Sequence, residues 1–177
     1  MNARLAAWNQ ADEGAALEAM LACCGARRWA KAMVAQRPIA SVEKLSEAAD
    51  REWSRMEESD WLEAFACHPR IGEHRTAEAL PKAAAWSAQE QSSTSQAVER
   101  VLVELTEGNA LYEERYGFTY IVCATGKSAE EMLSILRGRM ANSREAELRE
   151  AAEQQRLRLF IDSQRHHVAG LESTLAA

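Results

Sequence analysis

The sequence predicts an all-α protein, folded as a single compact domain of about seven or eight helices. Apolar residues recur at helical spacing through most of the 177 residues, and at 47% of the chain they are enough for one substantial core. The clearest β-like stretch is "FTYIVCAT" at 118–125, and one short apolar run cannot make a sheet alone. We expect it to be buried extended chain or the start of a helix.

Four helices are predicted before the stretch "HPRIG". The first is "ADEGAALEAMLACCG", with Asp12 as its N-cap and Gly25 as its end. The second runs from Arg27 toward Gln36, where Pro38 ends it, because proline cannot continue a helix and restricts the residue before it. The third starts at Ser41, and "SDWLEAFACH" makes a short fourth helix.

The second half of the chain predicts three more helical segments. "WSAQEQSSTSQAVERVLVELTEGNALYEERYG" is one long or broken helix that Gly117 closes. "SAEEMLSILRGRMANS" opens with a capping box of Ser128 and Glu131, and Gly126 makes the turn before it. "REAELREAAEQQRLRLFIDSQ" is the last helix, and the tail from His166 onward is expected to fray.

The composition excludes some partners. A formal net charge of −6, with basic residues scattered among acidic ones, argues against binding to a nucleic-acid backbone. The apolar runs are too short for a signal peptide or a membrane span, which favours a soluble, cytoplasmic protein. Four cysteines without a CxxC pair fit reduced thiols in that compartment.

The stretch "HPRIG" groups a histidine, a proline and a glycine within five residues. His68 is expected where a helix ends against Pro69, whose rigid ring fixes the direction of the chain. Gly72 would let the chain turn away without a side chain near the imidazole. A lone histidine is more often structural, but this fixed placement favours a role in proton transfer.

The stretch "WSAQEQ" has two compatible interpretations. Ser87 followed three residues later by Glu90 is a capping box, which explains both residues without any function. The same arrangement gathers backbone N–H groups and a carboxylate at a helix N-terminus, which suits an anionic ligand beside an acid/base group.

Two other functions stay open on the sequence. One is a nucleotide-binding enzyme that uses Lys127 of "CATGKS", although the phosphate-loop pattern needs a glycine where Ile121 stands. The other is a non-catalytic helical binding or scaffold module in which His68 and Glu90 are structural. A metal site is not favoured, because the four histidines lack the spacing of zinc ligands.

The chain resembles the OHCU decarboxylases, which act on 2-oxo-4-hydroxy-4-carboxy-5-ureidoimidazoline in urate (purine) degradation. Four motifs in the same order carry the resemblance: "HPRIG" at 68–72, "WSAQEQ" at 86–91, "YEERYGFTYIVCATGKSAEEML" at 112–133 and "LRGRMAN" at 136–142. The resemblance implies an all-helical domain over residues 1–165, usually a homodimer. It also implies a lyase that needs no cofactor or metal and yields (S)-allantoin.

The resemblance also implies roles for individual residues. His68 is matched to the general acid/base, and Glu90 to the carboxylate that orients the substrate or the imidazole. The matched substrate contacts are Pro69, Ser87, Gln91, Tyr120, Ile121, Val122, Cys123 and Ala124.

One family element, an Arg-Leu pair on the final helix that contacts substrate, can be placed in more than one way. Arg158 followed by Leu159 matches it if the helix is several residues shorter than usual. Counting without a gap places Ile161 or Asp162 in the arginine position. Arg158 is the preferred match and Arg156 the reserve.

Overall fold

The computed structural model describes residues 2–68, 70 and 88–165, and for 88–98 and 160–165 it describes only the helical backbone. This described part contains eight helices and no strand, which confirms the predicted all-α class. Their bounds are α1 Ala3–Gln10, α2 Glu13–Cys23, α3 Arg27–Val34, α4 Val42–Trp53, α5 Glu58–Ala66, α6 Ala88–Tyr116, α7 Ala129–Arg139 and α8 Arg144–Arg165. The tail expected to fray, 166–177, lies outside the described residues.

By its internal contacts the chain divides into two units. The first consists of Met1–His68 with Leu148–Ala177, and the second is Pro69–Glu147. The first unit therefore contains α1 to α5 and most of α8, and the second contains α6, α7 and the first turn of α8. One domain over residues 1–165 stays a prediction.

Buried tryptophans hold the helices of the first unit together. The indole N–H of Trp8 donates to a carbonyl of α2, that of Trp29 to a carbonyl of α4, and that of Trp53 to a carbonyl of α8, at 3.1–3.2 Å. All three side chains are at most 3% exposed. Each ring thus buries a large apolar surface while its single polar group is satisfied, which favours one fixed packing.

Two predicted helix starts in the first unit are confirmed. The Asp12 carboxylate accepts the backbone N–H of Ala15 at 2.9 Å and caps α2. The Ser41 hydroxyl accepts the backbone N–H of Lys44 at 3.3 Å and caps α4. The sequence did not predict α1, a helix of eight residues that is too short to show a strong periodicity.

The role predicted for Gly25 needs correction. The helix α2 ends at Cys23, with Cys24 as its C-cap, so Gly25 does not end it. A Cβ atom at residue 25 would lie 2.2 Å from Sγ of Cys67, at the end of α5. Glycine is needed here because two chain segments approach closely, not because a helix stops.

The second unit contains a buried non-helical segment between α6 and α7. Residues 118–124 form neither helix nor strand, and Phe118 and the residues from Tyr120 to Cys123 are buried. The β-like run is therefore buried chain and does not start a helix. Glycines with positive φ precede and follow it, Gly117 at 80° and Gly126 at 76°, which confirms both predicted turns.

The start of α7 bears on the nucleotide hypothesis. Ser128 and Glu131 form the predicted capping box, with bonds of 3.2 and 2.7 Å. The ammonium group of Lys127 donates to the carbonyl of Cys123 at 2.7 Å. "CATGKS" is thus a turn and helix cap whose lysine is bonded to its own loop, so the geometry does not favour a phosphate site. None of the described helices is long and apolar enough to cross a membrane.

Candidate active site

The end of α5 fixes the position of His68. The helix ends at Ala66 with Cys67 as its C-cap, and the backbone N–H of His68 donates to the carbonyl of Phe65 at 3.0 Å. Phe65 is fully buried, whereas His68 is partly exposed. The side chain therefore leaves a backbone that is anchored in the core of its unit, as expected for a catalytic group.

Both ring nitrogens of His68 contact side chains of α8. Nε2 lies 2.6 Å from Oε1 of Gln155, and Nδ1 lies 2.7 Å from Nη1 of Arg158. A guanidinium group can only donate, so Nδ1 must accept with its lone pair. Nε2 then carries the proton and donates it to Gln155. The contacts define a neutral imidazole with its proton on Nε2.

The electrostatics of His68 agree with this state. Burial lowers the pKa of His68 from its ordinary 6.5, the charge of Arg158 lowers it further, and the bond to Gln155 opposes both effects. The imidazole is therefore neutral at neutral pH and can accept a proton.

The two candidate arginines, Arg158 and Arg156, have different partners in the structure. Arg158 reaches the imidazole of His68, whereas Arg156 pairs with Glu153 at 2.7 Å and with Asp50 at 3.0 Å. The preferred match thus lies beside the candidate acid/base. Its contact with substrate stays a prediction, and the side chains of the ungapped alternatives, Ile161 and Asp162, lie outside the described residues.

In the second unit, the predicted substrate segment at residues 120–124 is held by neighbouring side chains. Arg139 donates to the carbonyl of Ile121 at 2.7 Å, and the hydroxyl of Tyr120 donates to the carbonyl of Met132 at 3.2 Å. Because these bonds fix the backbone, its polar groups keep a defined direction. Binding of substrate by this segment stays a prediction.

A buried ion pair supports that segment. Nε of Arg139 donates to Glu147 at 2.6 Å, and the two side chains are 8% and 0% exposed. Tyr112 also donates to Glu147, and burial together with this bond raises the pKa of Tyr112. The guanidinium of Arg139 lies 4.9 Å from the ring centre of Tyr120. Arg139 is the second arginine of "LRGRMAN", and this role was not predicted from the sequence.

Several predicted site residues lie outside the described part of the structure. These are Pro69 and Ser87, together with the side chains of Glu90 and Gln91, whose backbone lies in the first turn of α6. Their roles stay predictions. Arg70 of "HPRIG" is described, and it forms two bonds of 2.7–2.8 Å with Glu113 of α6.

Sequence reasoning missed Gln155. A signal was present, because Gln155 falls at helical spacing on a face of α8 that also carries Ala151, Ala152 and Leu159, all buried. A polar residue in such a row must find a partner or destabilise the fold. The sequence could not identify that partner.

The described ranges contain no group of three or more His, Cys, Asp or Glu side chains that could hold a metal ion.

Comparisons with known proteins show which proteins this chain is similar to. The uric acid degradation bifunctional protein TTL of Arabidopsis thaliana is 37% identical over 134 residues, which are 75% of this chain and 41% of that protein. The chain therefore spans less than half the length of this curated relative.

Two solved structures share the fold. A crystal structure of OHCU decarboxylase in the presence of (S)-allantoin is 31% identical with a TM-score of 0.65, and the match covers 82% of this chain and 94% of that one. A crystal structure of (S)-allantoin synthase matches in fold at 16% identity, with a TM-score of 0.63 over 90% of this chain and 52% of that one.

The family model of the OHCU decarboxylases matches residues 9–157. This range contains all four sequence motifs and Gln155, and it ends one residue before Arg158. The chain belongs to the OHCU decarboxylase family.

Proposed function

We propose that this protein is a carboxy-lyase that converts 2-oxo-4-hydroxy-4-carboxy-5-ureidoimidazoline to (S)-allantoin in urate degradation. Membership of the family supports the reaction, and so does the similar structure obtained with (S)-allantoin. The observation that carries the proposal is the neutral imidazole of His68, held at the end of α5 with the guanidinium of Arg158 at 2.7 Å. An anion-binding group thus lies directly beside a proton-transfer group.

The substrate explains why such a site is sufficient. Breaking the bond to the carboxylate leaves an electron pair on a ring carbon, and many decarboxylases accept that pair on a cofactor. This substrate carries a ring C=N bond next to the carboxyl-bearing carbon, so the pair can pass into its own ring. The protein must orient the carboxylate out of the ring plane, stabilise charge and deliver a proton to one face.

The roles of the residues follow from this requirement. Arg158 binds the substrate carboxylate or ureido group, because its planar, charged fork matches such acceptors. His68 is the general acid/base. Glu90 orients the substrate or the imidazole, and the other matched residues, including the segment at 120–124, are proposed to contact the substrate. We include in the proposal a homodimer, which the family resemblance implies and which light scattering of the purified protein tests, and a cytoplasmic location, which the sequence composition favours.

A coupled assay tests the reaction. Urate is supplied with urate oxidase and hydroxyisourate hydrolase in buffer with a metal chelator and no added cofactor, and the chirality of allantoin is followed by circular dichroism. We expect rapid formation of the S enantiomer. The same mixture without this protein is the control, since the substrate also decays spontaneously. Racemic product at the control rate would refute the proposed function and favour the scaffold alternative.

A further inference from the structure

Gln155 is a fully buried polar side chain, with 0% exposure, in an otherwise apolar row of α8. An amide in such a place is costly unless it is hydrogen-bonded. Its oxygen lies 2.6 Å from Nε2 of His68, across a separation of 87 residues in the chain. The bond to the imidazole therefore satisfies the amide oxygen, whereas the buried amide nitrogen has no hydrogen-bond partner within the described residues.

The direction of the amide follows from the chemistry of its partners. The oxygen of an amide only accepts and its nitrogen only donates. Arg158 donates to Nδ1 of His68, so Nε2 carries the proton and the oxygen of Gln155 must face it. A reversed amide would place two donors against each other. The Gln155 side chain also interacts with the buried thiol of Cys24. Burial raises the pKa of that thiol to about 12.

The two nitrogens of His68 lie in different surroundings. Nε2 faces the buried Gln155, whereas Nδ1 faces the exposed side chain of Arg158. Only Nη1 of Arg158 contacts Nδ1, so a carboxylate that binds through Nη1 competes with Nδ1 for those N–H groups and an anionic substrate bound there frees Nδ1. Nε2 keeps its partner throughout, because the oxygen of Gln155 accepts a proton from neutral imidazole and from imidazolium alike.

We infer that Gln155 is a positioning residue: it holds the proton of His68 on Nε2 and leaves Nδ1 as the nitrogen that exchanges a proton with the substrate. This inference rests on the proposed function and names the working atom of the same site. In the exchange, Nδ1 takes the proton of the substrate's 4-hydroxyl group to form imidazolium and later returns it to the neighbouring ring carbon. The carboxylate leaves as CO2 and the nitrogen of the ring C=N bond takes its proton from water, so the imidazole ends unchanged. The proton on Nε2 is not transferred.

The tautomer can be measured without any turnover. Long-range ¹H–¹⁵N correlation spectra of uniformly ¹⁵N-labelled protein distinguish a protonated from an unprotonated ring nitrogen, and the signals of His68 are those that disappear in His68→Gln. At neutral pH we expect a neutral ring protonated on Nε2. A ring protonated on Nδ1, or an imidazolium, would overturn the inference.

A variant tests the role in catalysis. Gln155→Met keeps an unbranched side chain of similar size and removes the acceptor. We expect kcat to fall about tenfold, the rate equivalent of one neutral hydrogen bond, while KM changes less. The proton on Nε2 should also exchange faster with water. Gln155→Glu restores an acceptor and should recover most of the lost rate.

The neighbouring residue gives a matched control. Gln154 lies one position earlier on α8 and donates to Glu150 at 2.9 Å. Gln154→Met makes the same change of side chain and should leave kcat and the His68 spectrum unaltered. Wild-type kcat and an unchanged Nε2 signal in Gln155→Met would overturn the inference.

Failure to fold would leave the inference testable. If Gln155→Met does not fold, the wild-type spectrum and Gln155→Glu still decide, since the latter must keep the proton on Nε2. Failure of the proposed function would give a different result, namely racemic product from the wild-type protein, whatever the tautomer of His68.

Discussion

Replacing His68 in two ways separates its chemistry from its contribution to folding. His68→Gln and His68→Asn both remove the titrating imidazole. A glutamine amide can place a donor near the position of Nε2 and keep a bond to Gln155, whereas an asparagine amide is one methylene too short. We expect both variants to lose activity and only the asparagine variant to lose stability.

The structure sets the size of each effect. In His68→Asn the oxygen of Gln155, on a side chain with 0% exposure, loses its donor. A buried acceptor left unpaired costs about 1–3 kcal/mol of unfolding free energy. For a chain of this size each kcal/mol lowers Tm by about 2–4 °C. The loss of general acid–base catalysis should lower kcat by roughly 10² to 10⁴ in both variants.

Thermal melts and stereospecific allantoin formation are measured on the same preparations. The expected pattern is a Tm near that of the wild type for His68→Gln, a Tm lower by several degrees for His68→Asn, and slow, racemic product with both. Normal turnover per folded molecule in His68→Gln would refute a catalytic role for the imidazole. An unchanged Tm in His68→Asn would refute the argument from the buried amide.

Four further predictions concern Arg158, the pH dependence of stability, Glu90 and Arg139. Arg158→Ala should raise the substrate KM and move the pKa of His68 upward toward 6.5 in an NMR titration, because a nearby positive charge disfavours imidazolium; Arg156→Ala should do neither. In the wild-type protein the pKa of His68 is lower in the folded state than in the unfolded chain. As the pH drops below 6.5, the unfolded chain therefore binds a proton at His68 before the folded protein does, so the free energy of unfolding should fall. Glu90→Gln should lower kcat more than tenfold with little change in Tm, because glutamine still serves in a capping box; wild-type kcat would return Glu90 to a structural role. Arg139→Met should cost about 3–5 kcal/mol in a denaturant melt, because it leaves the buried carboxylate of Glu147 without its charged partner, and an unchanged midpoint would contradict this.

The sequence by itself determined the helices and many of their ends. The cap at Asp12, the helix start at Ser41, the capping box at Ser128 and the turn at Gly117 were all predicted and are all present. These signals are local, since a cap or a helical stripe involves residues three or four apart. The motif order also predicted the family, because each motif is read along the chain without knowledge of the fold.

Only the tertiary structure decided which side chains meet. The contacts of His68 with Gln155 and Arg158 join residues 87 and 90 positions apart, and helical periodicity gives no information on such pairs. The choice of Arg158 over Arg156 beside His68, and the need for Gly25, therefore depended on how α8 and α5 pack within their unit. For the same reason the sequence could mark Gln155 only as a polar residue in an apolar row, whereas the fold placed the ring of His68 against it.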